Sequence, residues 1–149
     1  MQVTNDGYLN YMPSLLQCED GRLLIVYERL DAAFENGDIM AVFSEDGASW
    51  TAPSAVVAGP GNERHPSVVQ KADGSYLVHY LSDETGSYKI YHAVSADGTA
   101  WTALGAVDLG WTTEQLVNPT VCREPDGSFT MAYDRLSAGG YVAHSADGL

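Results

Sequence analysis

The chain has 149 residues, 45% hydrophobic and 18% charged, which suits one domain with a buried core and excludes a disordered tail. A formal net charge of −13 argues against nucleic-acid binding, which rests on Lys and Arg neutralising phosphates, and against long-range steering of an anionic ligand. No apolar run approaches the ~18 residues of a membrane-spanning helix, so no membrane partner is expected. In chain order, residues 1–5 read as a lone strand, followed by three similar units at 12–58, 65–109 and 118–149. Each unit opens with a strand (A) after a proline, at Pro13, Pro66 and Pro119. An Asp-Gly turn follows, then an apolar strand (B): Leu23–Tyr27, Tyr76–Tyr80 and Phe129–Tyr133. A variable loop leads to strand C, a second turn containing Asp-Gly, and strand D. No segment sustains a helical period.

The repeat spacing is regular. Pro13-Ser14-Leu15, Pro66-Ser67-Val68 and Pro119-Thr120-Val121 lie 53 residues apart, as do Tyr27, Tyr80 and Tyr133. The second turn reads Ser44-Glu45-Asp46-Gly47-Ala48-Ser49-Trp50, then Ser95-Ala96-Asp97-Gly98-Thr99-Ala100-Trp101. The last copy, Ser145-Ala146-Asp147-Gly148-Leu149, stops before its tryptophan. Units of four antiparallel strands at this period are propeller blades. The fold class is therefore all-β, a β-propeller segment of three blades. In the turn, Asp accepts backbone N–H groups, Gly supplies a positive φ, and Trp covers the hairpin. Asp46, Asp97 and Asp147 are read as turn-formers, not catalytic acids.

These turns resemble the Asp boxes, or BNR repeats, of the sialidase superfamily. The resemblance covers almost the whole chain and implies a propeller related to six-bladed glycosidases. Sialidases use an arginine triad for the substrate carboxylate, a Tyr-Glu nucleophile pair and an Asp acid/base. Their Phe/Tyr-Arg-Ile-Pro motif corresponds most nearly to Glu63-Arg64-His65-Pro66, which keeps the arginine. The first and third units have Tyr11-Met12-Pro13 and Val117-Asn118-Pro119 there. No separate Tyr-Glu pair stands out, which lowers the expectation of a true sialidase.

Three blades do not close a ring, since propellers have about four to eight, and open edges invite aggregation. The segment 1–5 aligns with a strand D, and the third blade ends before its own. One reading is a homodimer in which each N-terminal strand completes the partner's last blade and two chains close a six-bladed ring. The other is a piece of a longer chain, cut within a repeat.

Alternating strand direction puts the D–A and B–C loops on one face and both kinds of turn on the other. The first face carries the candidate site. Arg64, Arg29 and Arg135, with Glu63 and His65, are candidate substrate-binding residues, because Arg makes bidentate bonds to a carboxylate. The alternative for Arg29 and Arg135 is ion pairing with nearby acids. Glu28, Asp83, Glu84 and Asp134 are candidate catalytic carboxyls, with Asp31 a further loop acid. A glycosidase needs two carboxyls roughly 5 to 9 Å apart, or one plus an activated nucleophile. Tyr8, Tyr11, Trp111 and Tyr141 could form a sugar-stacking wall or simply pack. The possible ligand is a glycan, in a glycoside hydrolase-like pocket; the alternatives are a non-catalytic module that binds a glycan or a protein, and a truncated half-propeller without evolved activity.

No metal or cofactor is expected, since His65, His79, His92 and His144 lack metal-ligand spacing. Cys18 and Cys122 have no CxxC partner and are read as buried, reduced thiols. Residues 1–6 lack a signal peptide's basic and apolar segments, so a cytoplasmic location is expected if the chain is complete as given.

Overall fold

The structure is a computed structural model that describes residues 2–149; Met1 lies outside the described residues. The first blade contains β1 (Leu9–Gln17), β2 (Leu23–Leu30), β3 (Gly37–Ser44) and β4 (Ser54–Val57), paired in sequence order. The second contains β5 (Arg64–Gln70), β6 (Tyr76–Ser82), β7 (Lys89–Ser95) and β8 (Thr102–Ala106), again in order. The third is a three-stranded sheet of β9 (Leu116–Arg123), β10 (Phe129–Arg135) and β11 (Gly139–Ser145). Every pairing is antiparallel. No helix among the described residues is long and apolar enough to cross a membrane.

The turns form as local chemistry dictates. Asp20, Asp73 and Asp126 each accept the backbone N–H two residues on, from Arg22, Ser75 and Ser128, at 3.0 Å. In the second set of turns, the Ser44, Ser95 and Ser145 hydroxyls accept the N–H of Gly47, Gly98 and Gly148 at 2.8, 2.8 and 3.0 Å. Asp46 Oδ1 accepts Ala48 and Ser49 N–H at 2.8 and 2.7 Å, and Asp97 Oδ1 does the same for Thr99 and Ala100. These bonds, backbone ones first, hold both carboxyls down at about 2.

Two inter-blade cores hold the blades together. Leu24, Val26, Ile39, Ala41 and Phe43 of the first blade pack on Val68, Val78, Tyr80, Tyr91 and Ala93 of the second. Val69, Leu77, Leu81 and Ile90 of the second pack on Val121, Phe129, Met131 and Tyr133 of the third. The opposite strand faces therefore bury into different blades, as the doubly apolar strands require. A hydrogen bond repeats with the packing: Val68 N–H donates to Ser14 Oγ at 3.2 Å, and Val121 N–H donates to Ser67 Oγ at 2.9 Å.

Three expectations change. Strand A starts before its proline, not after it. The residue just ahead of each proline, Met12, His65 and Asn118, has a left-handed φ of +46°, +48° and +56°. In all three blades the A–B ladder shifts register across this residue. Residues 2–5 form no strand in the single chain; Val3 instead packs with Tyr27, Met40, Val42 and Trp50 on the outer face of the first blade. Cys122 is exposed rather than buried, because its strand face points where no further blade lies, while Cys18 is buried; both thiols are free.

Candidate functional site

The left-handed residues ahead of the prolines bring strand A of each blade to one rim. There the backbone N–H of His65 donates to Glu28 Oε2 of the preceding blade at 2.9 Å. His65 Nδ1 lies 2.6 Å from Asn118 Oδ1 of the next blade. Asn118 Nδ2 in turn donates to Asp134 Oδ2 at 2.9 Å. Glu28 and Asp134 occupy the same repeat position in the first and third blades, and His65 and Asn118 link them across the second.

Arg64 directly precedes His65 in the chain. Its Nε donates to Asn62 Oδ1 at 3.0 Å, and its Nη2 donates to the Phe34 carbonyl at 2.7 Å. Asn62 is itself held by Asp83, whose Oδ1 accepts the Asn62 N–H at 2.9 Å. The Phe34 ring lies 6.1 Å from that of Tyr11, and both are exposed. An arginine with donors to spare thus borders an open aromatic pair, an arrangement suited to a polar ring with one apolar face.

The other sequence-predicted residues take different roles. Arg29 donates to Asp38 at 2.8 Å and lies over the Tyr8 ring, 4.6 Å from its centroid. Arg135 donates to Glu114 at 3.1 Å and lies over Trp111 at 4.4 Å. Each arginine at this repeat position is therefore sandwiched by an acid and an aromatic, and no bonding partner is common to Arg29, Arg64 and Arg135. Arg29 and Arg135 are thus engaged by neighbouring acids, the alternative read from the sequence.

Glu63 is 1% exposed, with Gly59 N–H and Ser82 Oγ donating to its carboxyl at 3.3 Å each. Burial pushes its pKa up, against those two bonds. It braces the loop between blades. Glu84 is exposed on the β6–β7 loop. Asp31 accepts the N–H groups of Ala33 and Glu35 and the Asn36 amide, so it shapes the β2–β3 loop.

The stacking wall is not assembled either. Trp111 packs edge-on against Tyr141 and donates Nε1 to Tyr133 Oη at 3.1 Å, while Tyr8 lies under Arg29. Only Tyr11 remains at the rim, joined by Phe34, which sequence reasoning missed. Asn118 was missed as well; its alignment with His65, both just before a proline, was the available signal. Among the described residues no group of three or more His, Cys, Asp or Glu side chains is placed to hold a metal ion.

No family model and no curated protein matches the chain. Solved structures do match. A family 117 glycoside hydrolase from the marine bacterium Zobellia galactanivorans superimposes with a TM-score of 0.77 at 16% identity, over 97% of this chain and 55% of that one. An alpha-L-arabinanase from Penicillium chrysogenum, complexed with arabinobiose, gives 0.76 at 21% identity, over 97% and 49%. An endo-arabinase from Bacteroides thetaiotaomicron gives 0.71 at 18% identity, over 97% and 58%. The fold is thus that of the propeller glycoside hydrolases, and the chain spans about half the length of these structures. The likeness reaches the fold, and a sialidase assignment does not follow from it.

Proposed function

We propose that the chain is a carbohydrate-directed propeller segment whose ligand site is the rim formed by Glu28, Arg64, His65, Asn118 and Asp134, with Tyr11 and Phe34 as the stacking surface. The observation that carries this reading is the Arg64–Phe34–Tyr11 arrangement beside two carboxylates brought to one rim by the repeat. The carboxylates at Glu28 and Asp134 fit a glycoside hydrolase, with a sialidase-like acid-sugar specificity as its narrower form. The commitment of Glu28 to the His65 N–H favours a second reading, a non-catalytic glycan-binding module. Hydrolysis of fluorogenic glycosides, arabinosides and sialosides included, separates the two, with Arg64→Ala as the control. Turnover that Arg64→Ala abolishes supports the enzyme. Binding on a glycan array without turnover supports the module, and neither result sinks both.

The rim is open on two sides, and we propose that a second copy of the chain closes it. Leu15 on the outer face of the first blade is 64% exposed, whereas its repeat equivalents Val68 and Val121 are 5% and 8% exposed inside the inter-blade cores. Thr120 stands where Ser14 and Ser67 accept the next blade's N–H, so the third blade offers the acceptor that Leu15 of a second copy lacks. Exchange of the N-terminal strand onto the third blade would complete its sheet. Light scattering should give a dimer that Leu15→Asp dissociates; a wild-type monomer overturns this closure.

A further inference from the structure

The relay at the rim decides which nitrogen of His65 carries its proton. Asp134 Oδ2 is an acceptor, so the Asn118 atom facing it at 2.9 Å is the amide nitrogen. The Asn118 atom facing His65 is then the carbonyl oxygen, which can only accept. At 2.6 Å from that oxygen, His65 Nδ1 must be the donor. A neutral imidazole with Nδ1 protonated has its lone pair on Nε2. Among the described residues no group bonds Nε2, and it is not among the buried polar atoms left without a partner, so it faces solvent at the rim.

The backbone supports the same placement. His65 and Asn118 both hold left-handed φ values, a conformation that costs non-glycine residues of order 1 kcal/mol or more and persists only where the surroundings enforce it. At His65 the enforcing contact is visible: the buried Glu28 carboxylate holds its N–H. One side chain from each of two neighbouring blades thus sets the backbone and the ring of the same residue.

We propose that Asn118 and Asp134 are positioning residues that lock His65 in the Nδ1–H tautomer, and that its Nε2 accepts a hydrogen bond from a hydroxyl of the bound sugar. This rests on the glycan reading for the ligand, but the lock itself does not. A fixed acceptor at Nε2 selects a ligand that presents a hydroxyl there, as a sugar ring edge does. Loss of neutral imidazole on protonation would turn Nε2 into a donor and reverse this preference.

The test is long-range 1H–15N NMR of the 15N-histidine-labelled chain at mildly alkaline pH, with His65 assigned by its loss in His65→Gln. The expected spectrum shows Nδ1 as the protonated nitrogen, the reverse of the preference of a free histidine side chain in water. Asn118→Gly removes the amide yet accommodates the left-handed φ, and should return His65 to the Nε2–H form. Asp134→Asn should give a mixture, because an amide can face Asn118 either way. A wild-type Nε2–H signal, or an unchanged tautomer in Asn118→Gly, overturns the lock. For a glycan bound in the array, Asn118→Gly should weaken affinity about tenfold, the size of one lost hydrogen bond. An intact lock with no glycan bound would sink the glycan reading alone; a glycan bound equally by wild type and Asn118→Gly would sink the acceptor role.

Discussion

Glu28 and His65 are joined across the first two blades by a carboxylate that accepts a backbone N–H at 2.9 Å, and Glu28 is only 3% exposed. A buried carboxylate with a single protein donor is expensive to leave unpaired. The contact therefore couples the stability of the blade interface to the shape of the candidate site.

Glu28→Ala should lower unfolding stability by about 1.5–3 kcal/mol, the range for a hydrogen bond to a charged group. Glu28→Gln keeps an oxygen acceptor and should cost less than about 1 kcal/mol. Urea unfolding followed by tryptophan fluorescence measures both. Equal losses for the two variants would mean that the bond to His65 contributes nothing.

Arg64 and Arg29 should separate cleanly. Arg64→Ala should abolish glycan binding or turnover, because its guanidinium borders the Tyr11–Phe34 surface. Arg29→Ala should leave both within about twofold and cost at most about 1 kcal/mol in urea, the scale of a half-exposed ion pair and its aromatic contact. Paired ligand titrations and urea curves check this.

The glycines of the Asp turns should differ by blade. A Cβ on Gly98, at φ +81°, would come within 2.5 Å of the Phe43 ring in the preceding blade. Gly47 meets nothing nearer than Leu23 at 3.5 Å, in its own blade. Gly47→Ala should then cost about 1–2 kcal/mol from backbone strain alone. Gly98→Ala should cost about 1–3 kcal/mol more, through overpacking. Equal unfolding midpoints would remove the inter-blade contact as the reason for the second glycine.

Stability should fall in acid over two windows. Burial, with the His92 ring as the second cause, lowers the pKa of His79 from 6.5 to about 4. The unfolded chain binds this proton more readily than the folded one, so stability declines as pH falls from 6.5 towards 4, by up to about 3 kcal/mol. His79→Val, the residue at the equivalent Val26, should flatten that decline. Asp46 and Asp97 are held at about 2, so what they contribute is present above their ordinary value of 3.8 and is lost as pH falls from there through 2. Thermal unfolding between pH 2 and 8 resolves the two windows.

Much of this molecule is legible along the chain. The recurrence of Pro13, Pro66 and Pro119 and the Asp-Gly turns located every blade, because strand alternation and turn geometry depend on residues within a few positions of each other. The same repeat placed Glu28 and Asp134, and Arg29 and Arg135, in equivalent positions. It could not say which of them would be occupied by neighbours. Asp38 and Glu114, which take up Arg29 and Arg135, carry no motif, and nothing local marks Glu63 as buried.

What the sequence by itself determined is the blade: its strands and its turns. What only the tertiary structure decided is the rim. His65 meets Glu28 37 residues back and Asn118 53 residues on, and those meetings depend on how one blade turns against the next. That rotation is set by the packing of whole sheet faces, such as Phe43 on Gly98 and Leu77 on Phe129, and no short stretch of sequence encodes it.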